Sequence, residues 1–299
     1  MDRFHLINVF VAVVDTNGFA GAARKLRISP PAVTRAINEL ESHLGVSLLV
    51  RTTRVVRVTE SGARFVEDCR HILTQLAEAD ASASGFHQAP RGRLIVTAPV
   101  PFGAMLVTPI VTEYLQRYAD VSVSCWFLDR VVNLLEEGAD VGVRIGDLPD
   151  SSMQAIRVGR VRRVVCAAPS YLKQHGVPEN LSDLQTHIVV STGAATLKSE
   201  WRFLENGKLR IIKVPPRLVV TSAETAVSAA LSGFGIANVL SYQVEAYLRE
   251  GRLRAVLNEY APAMLPVHVV HREVPHASKA ARAFVDLAVD RLRASPTLK

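Results

Sequence analysis

"SPPAVTRAI", residues 29–37, sets two prolines and an arginine at the mouth of a run that otherwise counts like a helix. Ser29 carries the hydroxyl of a helix cap, and Pro30 suits the first helical position, where the N–H has no intrahelical partner. The prolines therefore start a helix. From there Val33, Ile37, Leu40 and Leu44 follow the apolar spacing, while Pro31, Thr34, Arg35 and Asn38 share the opposite face. That outward face is small near its tip and hydrogen-bonding beyond it, as the major groove requires. Arg35 has a fork for guanine or a phosphate, Thr34 a methyl for thymine or a hydroxyl for phosphate, and Asn38 an amide for adenine or backbone. An ordinary solvated helix face has the same composition, so the surroundings decide.

Upstream, Phe4, Ile7, Val11 and Val14 mark one face of a first helix that stops at "DTNG" (15–18). "FAGAARKL" (19–26) reads as a second helix with Phe19, Ala23 and Leu26 inward; Ala22 beside Ala23 permits close helix approach, and "RIS" turns into the third. Downstream, "VSLLVRTTRVVRVTESG" (46–62) reads as two β-rich runs, Leu48–Val50 and Val55–Val58, around a polar turn with Arg51, Thr52, Thr53 and Arg54. A hairpin with a basic tip after a helix-turn-helix is a wing, whose arginines suit the minor groove or phosphates. Ser29, Pro30, Pro31, Thr34, Arg35, Asn38 and the four turn residues are thus the candidate DNA contacts.

Thr59 then opens a long helix to about Phe86. Phe65, Cys69, Ile72, Leu76, Ala79 and Ala83 alternate steps of four and three, a heptad seam. It fits packing on the chain's own domain or, the reading favoured here, a second subunit, since a two-fold dimer presents two reading heads. "HQAPRG" (87–92) has the Pro and Gly of a hinge.

Charge agrees with a polyanionic partner. The 299-residue chain has a formal net charge of +7, and residues 1–58 hold eight cations (Arg3, Arg24, Lys25, Arg27, Arg35, Arg51, Arg54, Arg57) against Asp2, Asp15, Glu39 and Glu41. Cys69, Cys125 and Cys166 are odd in number and far apart, which speaks against disulfides or zinc and for a reducing cytoplasm. The N-terminal apolar run imitates a secretory signal, but Asp2 and Asp15 bracket it; no run approaches the ~20 residues of a membrane span.

After residue 92, apolar β-like runs alternate with helical ones, the pattern of α/β domains with mainly parallel sheets. Expected strands are 93–99, 121–127, 140–146, 163–169, 187–192, 209–214, 217–221, "FGIANVL" and "LPVHVVH". Helices are expected from Gly103 to about Tyr118, Ser222 to about Leu231 and Ser278 to Leu292. Ligands of such domains sit beyond the carboxyl ends of strands, against helix N-termini. Pro99, Val100, Phe102 and Gly103 are candidates for one wall, and Thr221, Ser222 and Ala223 for another. Asp129, Arg144, Asp147, Thr192 and Gly193 end other strands. Arg144 and the helix N-termini favour a small anion, such as a carboxylate. Each residue also has a plainer reading: Gly103 relieves a turn, and Arg144 pairs with Asp140 or Asp147.

Residues 10–62, "FVAVVDTNGFAGAARKLRISPPAVTRAINELESHLGVSLLVRTTRVVRVTESG", and the helix after them resemble the LysR-type transcriptional regulators. Arg35, Glu41, Leu44, Gly45 and Arg51 stand as the family pattern expects, whereas many members place Gln at Pro30 and Ser at Thr34. "PRGRLIVTAPVPFG", "LEEGADVGVRIGDLPDSSM", "RRVVCAAPSYLKQHGVP" and "SAALSGFGIANVL" resemble the family's effector-binding half, most of all the branch that includes CrgA. The resemblance implies an α+β two-part chain: a winged helix-turn-helix (1–58), a dimerisation linker helix and hinge (59–90), and a periplasmic-binding-protein-like α/β effector domain (91–299). Its lobe I would comprise 91–162 and 267–299, its lobe II 163–266, with the effector between them. Also implied are homodimers on inverted-repeat DNA, homotetramers as dimers of dimers, and RNA polymerase as a further partner, without metal or cofactor.

Enzyme motifs are missing: no Walker loop, nucleophile elbow, HExxH or CxxC occurs. His268 and His271 form an HxxH, but on a strand that spacing points them to opposite faces. Two binding-class alternatives stay open: a solute-binding protein whose first ninety residues mediate assembly, and an architectural DNA-binding protein without a preferred site.

Overall fold

The computed structural model describes residues 2–51, 56–83, 89–129, 138–148, 153–193, 199–272 and 278–299. The chain divides into two compact units, Met1–Arg93 and Leu94–Lys299. No helix among the described residues is long and apolar enough to cross a membrane.

The first unit comprises α1 (Arg3–Asp15), α2 (Phe19–Leu26), α3 (Pro30–Leu44), β1 (Leu49–Arg51), β2 (Val56–Val58) and α4 (Glu60–Ala83). Helix α1 is buried at Leu6, Ile7 and every position from Val9 to Val13. It is apolar nearly all round because α2, α3 and α4 all pack against it. Phe4, expected inside, stands ahead of those contacts and is 45% exposed. Asp15 ties three helices, accepting from Lys25 of α2 at 3.1 Å and from Arg70 of α4 at 2.6 Å. Burial raises its pKa, but the hydrogen bonds from Arg70 and then Lys25 outweigh that and hold the carboxyl below its usual range.

Helix α3 starts as its sequence dictates: the Ser29 hydroxyl accepts from the Ala32 N–H at 3.4 Å, and Pro30 takes the first position. It ends at Gly45, where φ is +69°. Val33, Ala36, Ile37 and Leu40 are fully buried. The hairpin pairs Leu49 with Val58 and Arg51 with Val56, so Arg51 is the last residue of a strand and not part of the turn. Thr59 closes the hairpin's base. Its hydroxyl accepts from the Gly62 N–H at 2.9 Å, capping α4, and donates to the Ser47 carbonyl at 2.9 Å.

The second unit has two lobes, each built on a five-stranded sheet. Lobe I contains β3 (Gly92–Ala98), α5 (Val100–Phe102), a π-helical turn (Gly103–Val107), α6 (Thr108–Arg117), β4 (Val121–Phe127), β5 (Val141–Ile145) and β6 (Met153–Val161). The chain crosses to lobe II for β7 (Arg163–Ala167), α7 (Pro169–His175), β8 (Val189–Thr192), β9 (Ser199–Glu205), β10 (Lys208–Val214), β11 (Leu218–Val220), α8 (Ala223–Leu231), β12 (Ile236–Leu240), α9 (Ser241–Arg249) and β13 (Arg254–Val256). It returns for β14 (Leu265–Arg272), α10 (Lys279–Ala294) and a final 3₁₀ turn (Pro296–Leu298). The π turn follows from local chemistry. Pro109 has no N–H for the preceding turn, and the Thr108 hydroxyl donates to the Gly103 carbonyl at 3.0 Å.

Strand order is β4-β3-β5-β14-β6 in lobe I and β11-β8-β12-β7-β13 in lobe II. β3 runs parallel to β5, and β8 parallel to β11 and β12, but β14 is antiparallel to both neighbours and so is β7. The sheets are therefore mixed, where mainly parallel ones were expected. The antiparallel strands are those at the two crossovers: the single residue Arg162 joins β6 of one sheet to β7 of the other, and β14 carries the chain back into lobe I. Strand β6, the longest, was not foreseen. Its sequence, "MQAIRVGRV", sets a polar residue at every third position (Gln154, Arg157 and Arg160), which breaks the two-residue period of a strand, and only Val158 and Val161 are buried. Strand β9, also unforeseen, forms a separate hairpin with β10.

Candidate functional site

In the first unit, α3 presents Ser29, Pro30, Pro31, Arg35 and Asn38 as exposed residues, with Thr34 half-buried between them. The Thr34 hydroxyl donates to the Pro30 carbonyl at 3.2 Å, which leaves its methyl and oxygen lone pairs outward. Arg35 forms no ion pair among the described residues. A desolvated partner is therefore not needed to release it, and its guanidinium is available to an anion. Of the predicted wing contacts, Arg51 lies on β1, while Thr52, Thr53 and Arg54 fall outside the described residues. Arg57 on β2, opposite the exposed Val50, adds a cation to the hairpin.

Reading the residues for charge and face missed how this surface is held. The Glu41 carboxylate accepts from the Leu48 N–H at 2.7 Å and the Leu49 N–H at 3.0 Å, fastening the reading helix to the hairpin. An acid, Glu41, at the end of the helix and just before the β-run was the available signal. At Gly62 an added Cβ would stand 2.1 Å from the Leu48 carbonyl oxygen, so α4 can meet the hairpin only there without a side chain.

The proposed seam on α4 divides. Cys69 is fully buried in the core of its own unit, while the half-buried Phe65 packs against that core with its ring 5.8 Å from that of Phe10. That corrects the expectation for Cys69: a side chain spent on the intramolecular core is withdrawn from a partner helix. Burial, then the charge of Asp68, push the Cys69 thiol up to about 12. Ile72 and Leu76 are 38% and 39% exposed. The side chains of Ala79 and Ala83 lie outside the described residues.

In lobe I, Pro99 and Val100 follow β3, and Asp129 follows β4. The Asp129 carboxylate accepts from the Val100 N–H at 3.0 Å, so this helix start already holds a carboxylate of its own chain. Arg144 donates to the Val143 carbonyl at 2.8 Å, and Asp147 stands exposed beyond β5. Phe102 and Gly103 are corrections, since both are buried. Phe102 stacks edge-on against Tyr242 of lobe II, with ring centroids 5.3 Å apart at 76°. The space beside Gly103 is filled by the Phe127 ring, 2.4 Å from where a Cβ would stand. Their roles are to pack the helix onto the sheet and onto α9, not to line a wall. Burial pushes the Tyr242 hydroxyl up to about 12; the Gln243 hydrogen bond opposes and the nearby charge of Asp129 adds to it.

Lobe II brings its candidates together at one sheet edge. Val220 pairs with Thr192, and the Gly193 N–H donates to the Val220 carbonyl at 3.0 Å, which sets Thr192 and Gly193 beside Thr221 and Ser222. Ser222 caps α8 through its backbone while its side chain makes no capping hydrogen bond; Ala223 is the first helical residue.

A helix-turn-helix with a hairpin behind its reading helix, followed by two α/β lobes linked by two crossovers, defines a DNA-binding regulator with a ligand-binding half. Residues 4–63 match the family described as bacterial regulatory helix-turn-helix protein, lysR family, and residues 87–293 match the LysR substrate binding domain. The chain belongs to the LysR family of transcriptional regulators: it is a DNA-binding protein with an effector-binding domain, not an enzyme. The regulator CrgA of Neisseria meningitidis serogroup C is 31% identical to it over 96% of each chain. An uncharacterized HTH-type transcriptional regulator of Haemophilus influenzae is 30% identical, covering 92% of this chain and 96% of that one. The solved structure of CrgA superposes with a TM-score of 0.62 at 30% identity, covering 96% of this chain and 98% of that one.

Proposed function

We propose that this regulator acts in the cytoplasm as a homodimer, assembling further into a homotetramer, whose paired reading heads bind an inverted-repeat operator. In this reading Arg35 contacts a base, Ser29, Pro31, Thr34 and Asn38 complete the groove surface around Pro30, and the wing with Arg51, Thr52, Thr53 and Arg54 tracks phosphates. The unpaired, exposed Arg35 on a capped, core-anchored α3 is the observation that carries it. A small anionic metabolite binds between the lobes, against Pro99, Val100, Asp129, Arg144 and Asp147 on one side and Thr192, Gly193, Thr221, Ser222 and Ala223 on the other. Asp129 already occupies the Val100 N–H, so lobe II, with the free start of α8, supplies the stronger anion contacts. Effector binding favours one subunit arrangement over another by its differential affinity for the two, and RNA polymerase reads the resulting DNA geometry.

Sequencing the genomic fragments that the purified protein retains at physiological salt tests the reading. A few sharp sites with inverted-repeat symmetry support it; uniform recovery points to architectural binding, and no recovery to a solute-binding role. On such a site Arg35→Ala is expected to cost roughly 1–3 kcal/mol while leaving random DNA nearly unaffected. Arg54→Ala is expected to weaken all sequences alike and lower the salt slope by about one. Equal losses on specific and random DNA for both variants would remove base reading from Arg35.

A further inference from the structure

Away from the proposed effector residues, the face where the chain passes between lobes carries charged side chains that nothing above uses. Arg160, near the end of β6, is exposed, and Arg162, just beyond the strand, is half-buried, on either side of the buried Val161. Arg162 is the one-residue link between lobes, and Ser241 pins it twice. The Ser241 N–H donates to the Arg162 carbonyl at 2.9 Å, and the Arg162 N–H donates to the Ser241 hydroxyl at 3.3 Å. Glu245 lies one turn further along α9. Lys299 arrives from the other side, because Leu298 is buried over Gly159 of β6, where a Cβ would stand 2.6 Å from it.

These elements enclose a cavity of about 230 Å³, lined among others by Arg160, Arg162, Ser241, Glu245, Met264 and Lys299. A second recess of about 520 Å³ shares Arg162 and Leu248 with it and adds Arg254. Among the described residues Arg160, Arg162, Glu245 and Lys299 form no ion pairs. The side chains of Arg160, Arg162 and Lys299 line the concavity with that of Glu245, so its side-chain charge is net positive and favours an anion. The core does not require them, since Val161, Leu298 and Ser241 already fix the backbone there.

We propose that this cavity is a second ligand site, for a small multiply charged anion such as phosphate or a short dicarboxylate. It is bounded by lobe I at Arg160 and Lys299 and by lobe II at Ser241 and Glu245, with Arg162 on one link and Met264 just before the returning strand. An anion held there bridges the lobes at their crossovers and stiffens the hinge. Any ligand preferring one lobe angle is thereby coupled to it, reciprocally.

The test is calorimetric titration of the full chain with inorganic phosphate and, separately, malonate, at fixed ionic strength with chloride as control. Saturable binding of either is expected, weakened about tenfold or more in R160A/R162A, which removes two charge-assisted contacts. E245Q is expected to bind about threefold more tightly, because it removes the acidic side chain of the lining; a loss of fold would not give that sign. Bound anion is also expected to slow amide hydrogen exchange in residues 160–164 and 257–265. No saturable binding, or binding indifferent to all three substitutions, overturns the site. Binding that leaves exchange at the crossovers unchanged overturns the bridge. If neither anion binds but R160A/R162A lowers the salt slope for duplex DNA, the cations contact nucleic acid instead and the proposal fails.

Discussion

Single residues decide whether the reading surface is rigid. Gly62 touches the Leu48 carbonyl so closely that a methyl would stand 2.1 Å from that backbone oxygen and 2.9 Å from the Val58 side chain, and the backbone cannot yield as the end of a flexible side chain would. Gly62→Ala is therefore expected to destabilise the first unit by about 1–3 kcal/mol, measured by chemical denaturation, even though alanine is the better helix former. A neutral or stabilising result would mean that α4 and the hairpin are not docked as described. Glu41 acts at the same scale through two hydrogen bonds to successive N–H groups. Its place in the family pattern was visible in the sequence, but its role was not, because the groups it holds are backbone and carry no side-chain signature.

Among the elements, α4 has the most ambiguous sequence. A heptad seam reads identically whether its partner is another subunit or the helix's own domain. Packing resolves the described part: Cys69 lies in the first unit's core and Phe65 packs half-buried against it, while Ile72 and Leu76 remain outside. Replacing both Ile72 and Leu76 by Asp is expected to yield monomers in sedimentation velocity with the melting temperature nearly unchanged. Phe65→Ala is expected to do the opposite, costing about 3–5 kcal/mol of stability through the lost contact with Phe10. Dimers persisting in the double Asp variant would place the subunit contact elsewhere. The π-helical turn before α6 teaches the same lesson, because Gly103 looked like a wall residue but makes room for Phe127.

Across the whole molecule, the second unit is closed by contacts between distant parts of the chain. Arg291 of α10 grips Glu113 of α6 through two hydrogen bonds, at 2.8 Å and 2.6 Å, and Arg117 joins the same carboxylate. The Arg291 hydrogen bond holds the Glu113 carboxyl at about 2, against an ordinary 4.5. The folded pKa is the lower one, so the clamp's contribution is present above about 4.5 and is lost as the pH falls toward 2. Arg291→Ala is expected to return the Glu113 midpoint toward 4.5 in a carboxyl NMR titration; an unmoved midpoint would assign the shift to Arg117 alone. The two crossovers and the edge-on contact of Phe102 with Tyr242 likewise join residues the sequence keeps far apart.

The sequence by itself determined the DNA-binding half, because its signals are local. Ser29 and Pro30 start α3, Gly45 ends it, and steps of four and three bury Val33, Ile37 and Leu40. It also marked the ends of β3, β8 and β11 and the start of α8, where apolar runs meet small or capping residues. Only the tertiary structure decided the mixed sheets, the polar strand β6, the burial of Phe102 and Gly103, and the division of the α4 seam. Each depends on which distant surface comes to rest against a residue. Packing of that kind leaves no period or motif in the chain, since the same side chain satisfies either neighbour until the fold chooses one.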